Sequence, residues 1–130
     1  MTEEDLKLKQ DWQNLRTYIE NTVGKKPSDL NAVLFLIGVQ ELGQGKKFFT
    51  KEQKQDLMHI AICKVLSLAG YYENEGTDED GWPHWKLIQK LPSFDLLAQE
   101  KLLKHFVIEY FKQEAGFEPL SEITTLTDSL

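Results

Sequence analysis

Only one cysteine, Cys63, occurs in the 130 residues, so no disulfide can form within the chain. A lone thiol in a strongly apolar run is expected to be buried as a small hydrophobe, and a reducing, cytoplasmic setting is expected. Long hydrophobic runs are also missing. No stretch approaches the ~18 to 20 continuous apolar residues of a membrane span, and the opening MTEEDLKLKQDW lacks the apolar segment of an export signal. No membrane association is expected. Positive charge is in short supply: 15 basic residues face 21 acidic ones, for a net charge of -6 and a pI near 5.1. Phosphate neutralisation needs a basic surface, so nucleic acid is not an expected partner.

Catalytic signatures are absent as well. The chain has no Walker-type glycine loop, no G-x-G-x-x-G, no G-x-S-x-G, no H-E-x-x-H and no paired C-x-x-C. An enzyme is therefore less expected than a binding protein. Sustained period-two alternation and internal repeats are not seen either, which argues against an extensive sheet or a solenoid.

What is present is helical punctuation. Thr2, followed by Glu3, Glu4 and Asp5, suits a helix start, and Leu8, Trp12, Leu15 and Ile19 recur on one helical face before Gly24 and Pro27. Ser28 is expected to cap a second helix ending at Gly43, apolar on every face from Ala32 to Val39. Gly38 within it is a local cost unless another helix approaches closely there. Thr50 and Gln53 form a capping-box pattern opening a third helix from Lys51 to about Ala69. Pro83 fits the first turn of a short fourth helix, HWKLIQKL, and Ser93 a cap for a fifth, which Gly116 ends. The expected fold is all-α, a single-domain bundle of about five helices with central second and third helices. Residues 1–116 would form the bundle and 117–130 an acidic C-terminal tail, in which Phe117, Leu120, Ile123 and Leu126 have the spacing to dock.

Three features carry candidate chemistry. On the third helix, Asp56 and His59 stand at i,i+3, half of a carboxylate-histidine metal arrangement. A single metal ion there, completed by His84 or His105, is weighed against a solvated carboxylate at a helix start. Cys63, one turn after His59, makes the one nucleophile and base pair that spacing brings together; a core cysteine is the plainer expectation. No obligatory cofactor is expected.

The second feature is GYYENEGTDEDGWPHW, Gly70 to Trp85, with five carboxylates between paired tyrosines and two tryptophans. An EF-hand reading fails, because Gly76 and Leu87 would occupy its first and twelfth positions. The segment is expected to be a solvated loop whose aromatic flanks are either core lids or a binding hot spot. Tyr72, Asp78, Asp80, Trp82 and Trp85 are the candidate partner-binding residues. The third is GKKFFTKEQK, Gly45 to Lys54, a basic corner around Phe48 and Phe49 suited to a staple or an acidic partner. Together with the acidic segment it makes self-association a further expectation.

The order from Val33 to Val65, a helix, a glycine loop and a Thr-capped helix, resembles the core hairpin of tellurite-resistance-type helical bundles. That resemblance implies metal binding through acidic residues. Where such bundles are expected to show Asp-Gly in the loop, this chain has Gly43-Gln44-Gly45, and no site residue is carried over. The function expected from the residues is a small non-enzymatic helical interaction module whose aromatic-flanked acidic loop binds a macromolecular partner. The alternative is a metal- or small-ligand-binding bundle with its site around Asp56 and His59.

Overall fold

The computed structural model describes residues 2–45, 47–93 and 95–120. Among these residues the chain forms four helices, α1 (Glu3–Val23), α2 (Leu30–Leu42), α3 (Lys51–Ser67) and α4 (Leu96–Ala115), with a two-stranded antiparallel hairpin, β1 (Tyr72–Thr77) and β2 (Pro83–Leu87), inserted between α3 and α4.

The helix starts follow local chemistry. Thr2 and Asp5 satisfy each other's backbone amides in a capping box at α1, and Thr50 and Gln53 do the same at α3. Carboxylates cap the other two: Asp29 accepts from the Ala32 amide at 2.9 Å and Asp95 from the Ala98 amide at 2.8 Å. These replace the expected caps Ser28 and Ser93, because an ionised carboxylate also meets the positive end of the helix dipole.

The expected five-helix, purely α bundle is corrected here. The segment expected to be the fourth helix is β2, and Tyr72–Thr77 pairs with it as β1. Tyr72 opposes Leu87 and Asn74 opposes Trp85, before an irregularity between Asn74 and Gly76 shifts the register. Pro83, Trp85 and Leu87 share one face while His84 and Lys86 take the other, and the aromatic and β-compatible residues favour a pleated surface over a two-turn helix. Hydrogen bonds from the Tyr71 amide to the Leu66 carbonyl (3.2 Å) and from the Ile88 amide to the Tyr71 carbonyl (2.9 Å) tie the hairpin to the end of α3.

α3 is the hub, touching α2, α4 and both strands. The main core joins Trp12, Leu15 and Ile19 of α1 to Val33 and Ile37 of α2, Ala61 and Val65 of α3, and Val107 and Tyr110 of α4. α2 lies close against α3 because Gly38 has no side chain. A Cβ there would stand 2.7 Å from the carbonyl carbon of Leu57 and nearer still to its oxygen. A second, smaller core under the hairpin holds Leu42, Phe49 and Leu57, with Phe35, Val39 and Trp82 packed on it.

Beyond α4 the chain turns at Gly116, and Phe117 buries against Tyr18 with ring centroids 5.2 Å apart. The Leu120 amide donates to Asn14 Oδ1 at 3.1 Å. The first residues of the expected tail thus dock on α1, whereas Ile123 and Leu126 lie outside the described residues. Among the described residues, no helix is long and apolar enough to cross a membrane.

Candidate functional site

The hairpin turn is built around one carboxylate. Asp78 Oδ1 accepts from the backbone amides of Asp80 (2.9 Å) and Trp82 (3.0 Å), while its Oδ2 lies 3.0 Å from His84 Nε2. The Asp78 amide donates to the Trp82 carbonyl and the Gly81 amide to the Asp78 carbonyl, with Gly81 at φ 84°. The Trp82 amide and then His84 hold the Asp78 carboxyl below its ordinary range, since both favour the ionised form. Asp78 therefore acts first as the brace of the turn.

Trp82 fixes this turn to the helices. Its ring meets Phe49 edge-on with centroids 6.5 Å apart, and Phe49 meets Phe35 in the same way at 6.3 Å. Gln44, from the loop after α2, donates to the Asp80 carbonyl at 2.8 Å and accepts from Lys47 Nζ at 3.0 Å. Tyr72, at the other end of the hairpin, packs on the main core.

Between α3 and this turn lies a cleft of about 500 Å³. Gln53, Asp56, His59 and Ile60 form its helical wall; Asp78, Asp80, Trp82, Pro83, His84 and Trp85 form the hairpin wall. Two features that the sequence offers separately, the Asp56/His59 pair and the acidic aromatic segment, thus face each other across one opening. Tyr72 is not among its lining residues. The side chains of Asp78 and His84 are 40% and 62% exposed, so both reach solvent at the mouth of the cleft. Trp85 Nε1, by contrast, is buried with no hydrogen-bond partner.

Cys63 does not belong to this chemistry. It is fully buried, and burial pushes its thiol up to about 11, so it stays protonated at neutral pH. His59 Nε2 approaches its sulfur at 3.6 Å, a contact that orients the ring at the cleft wall without making a thiolate. His105 lies on α4 in a separate hollow with Asp11 and Glu109, leaving His84 as the histidine that shares a cleft with His59. Among the described residues, no group of three or more His, Cys, Asp or Glu side chains is gathered as a metal would need.

The basic corner is tied to the cleft at two points, Lys47 through Gln44 to the Asp80 carbonyl and Phe49 through the Trp82 ring, with Phe48 between them in the chain. Phe49 is buried, but Phe48 is 96% exposed. The sequence shows the basic corner and the acidic segment without saying that they adjoin. The signal that joins them, an aromatic pair Phe48-Phe49 preceding a capped helix and a Trp after the turn, becomes readable only when the hairpin is recognised.

No family model, curated protein or solved structure matches this chain.

Proposed function

We propose that the protein is a non-enzymatic binding module whose α3–hairpin cleft takes a basic, aromatic-bearing segment of a macromolecular partner. The observation that supports this reading is the convergence of Asp56, Asp78 and Asp80 with the rings of Trp82 and Trp85 around one cleft. Carboxylates attract a lysine or arginine head, and an indole face receives the cation or its aliphatic stem. Trp85 lines the cleft beside Trp82, adding a second indole ring against which an aromatic or cationic side chain can pack. Aromatic residues inside a charged rim are the usual composition of an interface centre.

The test is calorimetric titration with short peptides of basic-aromatic and acidic-aromatic composition. Only the basic series is expected to bind, with affinity falling steeply as salt rises. Asp56→Asn combined with Asp80→Asn is expected to weaken binding at least tenfold while the fold stays intact, since neither carboxylate braces the turn. Binding that is indifferent to this pair would reject the cleft. Adding zinc to the same sample examines the metal alternative, in which one equivalent would be taken up and His59→Ala would abolish the uptake.

A further inference from the structure

Phe48 and the cleft raise one question together. A phenylalanine 96% exposed stands in the stretch Lys47-Phe48-Phe49-Thr50-Lys51, which is itself a basic, aromatic-bearing segment of the kind the cleft suits. Its own cleft does not hold it, because the adjacent Phe49 is seated beneath Trp82 while the Phe48 ring stands out in solvent. The segment sits beside the cleft: Lys47 Nζ reaches Gln44, and Gln44 reaches the Asp80 carbonyl.

We propose that this face is a two-fold self-association surface, in which Phe48 of each copy enters the α3–hairpin cleft of the other. The proposal rests on the cleft reading above and names its occupant as a second copy of this chain. The geometric argument is symmetry. In an isologous interface one patch meets its own image, so a patch that is positive on one side and negative on the other pairs with opposite charges on both sides of the axis. Lys47 and Lys51 then face Asp56 and Asp80 of the second copy, twice over, with Phe48 against the Trp82 and Trp85 rings at each end. A single-sign patch, such as two acidic clefts face to face, would repel instead. Burying two phenylalanine rings removes from water the largest exposed aromatic surface near the site.

Sedimentation velocity of the full chain over a concentration series tests this, and a dimer that loosens with added salt is expected. Phe48→Ser, which removes no core contact, is expected to shift the assembly to monomer with unchanged circular dichroism. Two charge-reversed chains sharpen the test: Lys47→Glu with Lys51→Glu, and Asp56→Lys with Asp80→Lys. Each alone is expected to be monomeric, and their mixture is expected to dimerise, because both halves of the interface regain opposite charges. A wild-type chain that stays monomeric at every concentration, a dimer insensitive to Phe48→Ser, or a mixture that stays monomeric would overturn the proposal. A synthetic peptide spanning Gly45–Lys54, titrated into the Phe48→Ser chain, separates the two readings. If self-association fails but the peptide binds, the cleft reading stands alone; if the peptide also fails, that reading falls for this segment too.

Discussion

Gly38 and Cys63 show how much rests on single buried positions. Gly38→Ala would drive a methyl group into the Leu57 backbone of α3, and neither helix can retreat without opening the core between them. A loss of about 2 to 3 kcal/mol is expected, read as a lower denaturant midpoint, although alanine is the better helix former. The sequence makes Gly38 conspicuous as a cost within a helix, and the close approach of α3 supplies the physical reason. Cys63 is expected to resist alkylation in the folded protein and react once denatured. Its thiol is pushed from 9.0 to about 11 by burial, so the folded state keeps a proton that the unfolded chain releases. That contribution is whole below pH about 9 and is lost as pH rises toward about 11. Tyr110 shifts in the same direction, through burial and then its hydroxyl bond to Glu41, and Tyr72 does so through burial first. Stability should therefore fall through that alkaline window, and less steeply in Cys63→Ala.

At the scale of elements, the hairpin is held by a brace and an anchor that separate experimentally. Asp78→Ala removes the acceptor for two turn amides and the partner of His84, so hydrogen exchange is expected to quicken in Asp78–Leu87 while α1 and α4 keep their protection. In the wild type the same loosening is expected as pH falls below about 3.8, where the depressed carboxyl finally takes a proton. Trp82→Ala instead strips the lid from Leu42, Phe49 and Leu57 and is expected to cost about 2 to 3 kcal/mol of global stability. The helices were legible because caps and apolar faces are local: Thr2, Thr50, Gly24, Gly43 and Gly116 all mark ends where the sequence places them. The hairpin was not, because its strands are short and mostly exposed, leaving little apolar alternation to detect. Asp80-Gly81, a dipeptide favoured in hairpin turns, was the available signal. Pro83 fits the start of a strand as well as that of a helix.

At the scale of the whole molecule, folding sets the three sequence features side by side and divides one of them. The Asp56/His59 pair joins the acidic aromatic segment in one cleft, and the basic corner borders it. Meanwhile the candidate partner residues separate by role, with Tyr72 turned to the core, Trp82 to the satellite core and Asp78 to the turn. Asp56, Asp80 and Trp85 keep surface toward the cleft without these structural duties. No local pattern could convey that division, because it depends on which way a hairpin folds back over α3. The net charge of -6 sets two copies against each other at long range, so a dimer depends on the opposite charges matched at contact.

The most direct test of the cleft is a nitrogen–proton correlation spectrum of the full chain, recorded as the Gly45–Lys54 peptide is added. The indole N–H of Trp85, which has no protein partner, is expected to shift, together with the amides of Asp56, His59 and His84. Shifts confined to the far side of the bundle, or a Trp85 signal that never moves while the peptide binds, would contradict the account.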